Sequence, residues 1–154
     1  MIQRIQTLWL MISTLAPLYL VKGAIGKFTS AGQEYYRIGF RGIELHNGAK
    51  MEIIQSSVAI PAMVILISVI SLIAVALYKN RKIQRVLVLI AFTISAGLLL
   101  LTVYHTWQIT GEFNAGIRFV PGLLVPPLLC LTTLLAFRGI SRDEEIVRSY
   151  DRLR

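Results

Sequence analysis

Two long apolar runs, 53–78 and 86–109, are joined by the basic knot Lys79, Asn80, Arg81, Lys82, Ile83, Gln84, Arg85. No other feature constrains the fold as strongly. At about 1.5 Å of rise per helical residue, each run is long enough to cross a bilayer core of roughly 30 Å. Four cations in the seven-residue link assign it to the cytoplasmic side, because basic loops resist translocation. The pair reads as a membrane hairpin.

Composition agrees with that reading. Hydrophobic residues make up 55% of the 154-residue chain and charged residues only 16%, against about 25% charged in soluble domains. The formal net charge of +8 does not point to nucleic acid, since the cations sit beside apolar runs without an interleaved aromatic face for stacking bases. Cys130 is the one cysteine, which excludes an intrachain disulfide and a cysteine-built metal cluster. The first apolar run passes through Ala16, Pro17, Leu18 and Tyr19 without a small-residue cleavage pattern, so it is expected to be retained.

That run predicts a first span over 5–21, near the lower limit of about 17 residues. Its Thr7, Met11, Thr14 and Leu18 share a face expected to meet neighbouring helices. Region 22–52 is glycine-rich, polar and aromatic, with turn signals at Ala31-Gly32 and at His46, Asn47 and Gly48, and predicts two or three short strands in an outer cap. So few residues cannot bury a core alone, so the cap must rest on helix ends, with Tyr35, Tyr36, Ile38 and Phe40 supplying the packing. The same aromatics beside Arg37 and Arg41 form a candidate partner-binding surface of Tyr35, Tyr36, Arg37, Phe40 and Arg41.

In the second span, 53–78, Ser57, Pro61, Val64, Ser68, Ser71, Val75 and Tyr78 recur at steps of three and four. In the third, 86–109, Ala91, Ser95, Leu98, Thr102 and His105 do the same. The two stripes are expected to face each other, bringing Ser68 level with Ser95 and Ser57 level with Thr106. A fourth span over 119–137 contains Pro121, Pro126 and Pro127, which predict a bend or local unwinding near Val125. The remaining 138–154 has Ser141 and Glu144 at capping-box spacing, then Ile146, Val147, Tyr150 and Leu153 on one side. It reads as an amphipathic helix that meets membrane lipid or the basic link, with Tyr150 a further candidate for partner contact.

Of the sixteen Lys and Arg residues, this arrangement places ten inside and six outside, so both termini are expected in the cytoplasm. The predicted fold is a membrane all-α four-helix transmembrane bundle, a single domain over 1–154, with a small extracytoplasmic β-sheet between the first and second spans.

The opening Met1, Ile2, Gln3, Arg4, Ile5, Gln6, Thr7 and the ending Arg138, Gly139, Ile140, Arg142, Asp143, Glu144, Val147, Arg148 resemble a family of small four-span membrane proteins of Bacteroidota (DUF4293-like), catalogued as a domain of unknown function. The resemblance implies a bacterial inner membrane and four spans, and it carries no active-site residues. The layout is also similar to the claudin-like tetraspans in shape only, because the first outer loop has neither a tryptophan nor a cysteine pair.

Signs of chemistry are few. The two histidines, His46 and His105, lie in different regions, and no Asp or Glu falls inside a predicted span, so neither a metal site nor a catalytic triad is expected. Gly23, Gly26 and Lys27 lack the spacing of a phosphate loop. His105, with Ser57, Ser68, Ser95 and Thr102, is the candidate intramembrane polar set, and a neutral imidazole bonded to Ser57 or Thr106 is its plain structural role. The chain is therefore expected to be no enzyme and to hold no cofactor. It reads as a non-catalytic inner-membrane subunit or assembly factor within a larger membrane protein complex, the alternative being a lipid, quinone or small-molecule carrier working through the bent fourth span.

Overall fold

The periodicity of the third run is realised as the longest helix of a computed structural model that describes residues 2–29, 34–47, 50–78, 80–113 and 115–152. Helix α3 (Arg81–Phe113) buries Gln84, Val88, Ala91, Ser95, Leu98, Thr102, His105 and Ile109, alternating steps of four and three. That rhythm keeps one seam facing the interior. Helix α2 (Ala59–Ala76) buries Ile60, Val64, Ile67, Ser71 and Ala74 in the same way. Helices α1 (Ile2–Lys22) and α4 (Val125–Arg152) each pack on both α2 or α3 and on one another, so that α1 touches α2 and α4, and α3 touches the same two.

The polar groups within these seams are mostly satisfied locally. Thr14, Ser68, Thr102, Thr106 and Thr133 each donate to the carbonyl four residues back, which removes the cost of an unpaired hydroxyl in an apolar interior. Between helices, Ser13 bonds Thr132 at 2.8 Å and Ser95 bonds Thr133 at 3.3 Å. The adjacent threonines of α4 thus face different neighbours.

At one end lies a five-stranded antiparallel sheet of order β4-β3-β2-β1-β5. Strands β1 (Gly26–Thr29), β2 (Glu34–Gly39), β3 (Gly42–Asn47) and β4 (Lys50–Ser56) lie between α1 and α2, and β5 (Gly116–Arg118) lies between α3 and α4. The β2–β3 hairpin turns through Phe40 and Arg41, with Gly39 paired to Gly42. Gly42 has φ +129°, a conformation side chains rarely adopt, and a Cβ there would strike the Gln55 carbonyl. Phe28, Tyr36, Ile38 and Ile43 descend from the sheet onto Leu20, Ile60, Leu98, Ile109 and Leu129, making one continuous core of sheet and helix ends. Removing a phenylalanine such as Phe28 from water contributes roughly 1.5–3 kcal/mol. A second, smaller cluster of Leu10, Ala74, Val88, Ala136 and Ile140 holds the helices together at the opposite end.

The expected all-α bundle of four transmembrane spans is corrected here. The sheet is a full structural layer of five strands, and among the described residues three helical segments, not four, are long and apolar enough to cross a membrane: Ala59–Ala76, Arg81–Glu112 and Pro121–Glu144. Helix α1 is not among those three. Its buried face is Gln6, Leu10, Ser13, Pro17 and Leu20, one residue away from the expected stripe, while Met11 and Leu18 are exposed. The apolar pair Ile53-Ile54 belongs to β4, so α2 starts at Ala59 rather than at 53. A short apolar stretch is compatible with either element.

The expected bend or local unwinding near Val125 takes the form of a 3-10 turn leading into α4 rather than a break in mid-helix. Pro121 opens a 3-10 turn (Pro121–Leu124), and Pro126 and Pro127 occupy the first turn of α4, where a missing N–H has no helical partner to lose. Gly122 lets this turn lie directly on the Ala24 carbonyl, which any Cβ would strike. Rather than forming a separate tail, 138–152 continues α4. The turn centres at Gly32 and Gly48, and Lys79 of the link, fall outside the described residues.

Candidate functional site

The aromatic surface proposed for the cap divides into core and exterior. Tyr36 is buried in the shared core, and Phe40 packs against it. Tyr35 stacks on His46 with ring centroids 4.6 Å apart. The Arg37 guanidinium lies 3.6 Å from the Glu44 carboxylate and donates to the Lys22 carbonyl at 3.1 Å, which ties β2 to the end of α1. Arg41 alone of the group is fully on the outside. Tyr150 lies on α4, and its side chain is outside the described residues.

Beyond Arg41 the exposed surface continues along β4, which among the described residues has no strand on its outer side. Residues 52–56 are all exposed, including Ile53 at 51% and Ile54 at 48%. An edge strand of seven residues without proline leaves a row of backbone donors and acceptors open to another strand. Its pairing with β3 has a register shift beside Ile43/Glu44.

The polar residues nominated for the spans do not form a cluster. Ser57 lies in the β4–α2 connection, where its N–H donates to the Arg41 carbonyl at 2.9 Å. Ser68 bonds within α2, while Ser95 turns to Thr133 and Cys130 of α4 rather than to Ser68. Thr102 bonds to the Leu98 carbonyl. His105 is buried, and neither ring nitrogen has a hydrogen-bond partner among the described residues. Thr106 gives its hydroxyl to Thr102, and Gln108, a close neighbour of the imidazole, does not complete a bond to it.

The strongest concentration of polar groups is at the end opposite the sheet, where all four helices meet around a cavity of about 430 Å³. Its lining includes Gln6 of α1, Val75 of α2, Arg81 and Gln84 of α3, and Ile140 and Asp143 of α4. Gln6 Nε2 donates to Asp143 Oδ2 at 2.8 Å, across 137 residues of sequence. Gly139 makes room for that bond, since a Cβ there would stand 2.8 Å from Gln6 Cγ. Gln84 Nε2 donates to the Ala74 carbonyl at 3.0 Å and so completes a carbonyl left open at the end of α2. Arg81 reaches the Asp143 backbone carbonyl at 3.4 Å, and Arg85 pairs with Glu144 at 2.9 Å. The helix α3 N-terminus is capped by Asn80, whose Oδ1 accepts from the Ile83 N–H.

Sequence reasoning did not nominate Gln6, Arg81, Gln84 or Asp143 as a site, because they come from three separate stretches of the chain. A signal was nonetheless present. The two chain-end motifs that carried the family resemblance contain Gln6, Gly139, Ile140 and Asp143, and the fold brings them into contact.

A sheet laid over the ends of long apolar helices, with a polar cavity at their other end, is a build compatible with a membrane location. The family model described as a domain of unknown function (DUF4293) matches residues 2–153, and the chain belongs to that family. No curated protein and no solved structure matches it.

Proposed function

We propose that this chain is a non-catalytic, multi-pass subunit or assembly factor of a bacterial inner membrane that binds another membrane or envelope protein. The observation that carries this reading is the uncovered β4 edge, where exposed Ile53 and Ile54 adjoin open backbone groups. Strand addition to such an edge supplies main-chain hydrogen bonds and side-chain pockets together. Tyr36 takes a supporting role, since its ring packs in the core shared by the sheet and the helices. Both termini and the basic α2–α3 link belong on the cytoplasmic side, and the sheet on the outer side. The support for this orientation is the excess of Lys and Arg near the link and the Gln6–Asp143 bond, which brings the start of α1 and the far part of α4 to the same end.

Co-purification of the full chain in mild detergent tests the reading. A stoichiometric protein partner is expected, and it should be lost from the double variant Ile53→Lys/Ile54→Lys while the melting temperature stays within a degree or two of wild type. Retention of every partner by that variant, or none with the wild type, defeats it. Cysteines introduced as Arg41→Cys and Lys82→Cys in a Cys130→Ala background report orientation. Only the first should react with an impermeant reagent in intact cells.

A further inference from the structure

The cavity at the polar end carries an inference independent of the partner reading. Two opposite charges line it without pairing with each other. Among the described residues neither Arg81 nor Asp143 makes an ion pair, and their one contact runs from the guanidinium to a backbone carbonyl. Asp143 is 8% exposed and takes the Gln6 amide at 2.8 Å. Beside that donor, a carboxylate so withdrawn from water gains from a further cationic or multiply donating neighbour. The volume of about 430 Å³ is in the range of ligand pockets and far exceeds the roughly 30 Å³ share of one water. Val75 and Ile140 form apolar walls, and Leu8 and Ile83, next in the chain to the lining residues Thr7 and Gln84, are exposed and suited to acyl chains.

We propose that this cavity binds the headgroup of an ethanolamine phospholipid, with Arg81 on the phosphate and Asp143 on the ammonium. Arginine matches phosphate oxygens through its planar fork of donors, and the start of α3 adds the positive end of its dipole. The primary ammonium has three N–H donors for the carboxylate, whereas the quaternary ammonium of choline has none. A purely anionic headgroup would satisfy Arg81 but meet Asp143 as a like charge. The inner end of the protein therefore selects a zwitterion with a small, donating cation.

The test is native mass spectrometry of the full chain with equimolar phosphatidylethanolamine, phosphatidylglycerol and phosphatidylcholine of the same acyl chains. Wild type should retain the ethanolamine lipid about tenfold over either competitor, the discrimination of one good charge-assisted hydrogen bond. Asp143→Asn keeps an acceptor for Gln6 and should erase the preference over phosphatidylglycerol. Arg81→Gln should weaken all three about equally. Should Asp143→Asn fail to fold, the stepwise N-methylated ethanolamine lipids decide the point on wild type alone, with retention falling at each methyl. Equal retention of phosphatidylglycerol and phosphatidylethanolamine by wild type, or no fall along the methyl series, overturns the proposal. Soluble phosphoethanolamine at millimolar concentration should not displace the lipid, and displacement would reassign the site to a free metabolite.

Discussion

The two ends of the helices solve the same problem in opposite ways. At the sheet end, Phe28, Tyr36, Ile38 and Ile43 close the interior with apolar side chains, and the strands cover it. At the other end, Gln6, Gln84 and Asp143 are drawn inward and a cavity remains between them. A β-sheet can satisfy its own backbone while presenting a greasy face downward. Helix termini cannot, because their last carbonyls and first amides have no partners within the helix. Hence Gln84 caps α2 and Asn80 caps α3 at the polar end, whereas the sheet end needs few such devices.

Substitutions should expose this difference. The largest effect is expected at the sheet end: Phe28→Ala should cost about 3–5 kcal/mol and Tyr36→Ala a similar amount, read as lost unfolding free energy in detergent, since both leave cavities in a shared core. A loss under about 1 kcal/mol for either would show that the sheet is not welded to the helices. Gly122→Ala comes next, at roughly 1–3 kcal/mol, because its new methyl must push the start of α4 away from Ala24. Protease nicking within β1 should rise in parallel.

At the polar end, Gln6→Ala removes the amide donor from the buried Asp143 carboxylate and should cost about 1–3 kcal/mol. Gly139→Ala, which crowds the same bond, should reproduce part of that loss. If the two ends respond equally to Phe28→Ala and Gln6→Ala, the contrast drawn between them is wrong. The smallest change belongs to Arg85→Ala, at about 0–1 kcal/mol and vanishing in high salt, because the Arg85 side chain is 44% exposed and its pair with Glu144 is screened.

How much of this was legible in the sequence follows the same division. The α3 seam was readable from Ala91, Ser95, Leu98, Thr102 and His105, since three- and four-residue steps are a property of one helix. Ile53 and Ile54 were read as helix because they abut a long apolar run, and the neighbouring strand that claims them is visible only in the fold. The prolines at 126 and 127 were read as a break, whereas they mark a beginning, a distinction that depends on where the preceding turn ends. The polar cavity was the least legible part. Gln6 and Asp143 gain their meaning from a contact across 137 positions, and local pattern carries no distance.

The position of β5 has a consequence for how the protein is made. β1 is bordered by β2 on one side and by β5 on the other, yet β5 follows α3 in the chain. During synthesis the first four strands can pair among themselves, but the free side of β1 waits until α2 and α3 have been translated and 116–118 arrive. Completion of the sheet thus reports that both intervening helices have been made and brought back to β1. Until then β1 is an unfinished edge, which a premature stop after Phe113 would leave open for good.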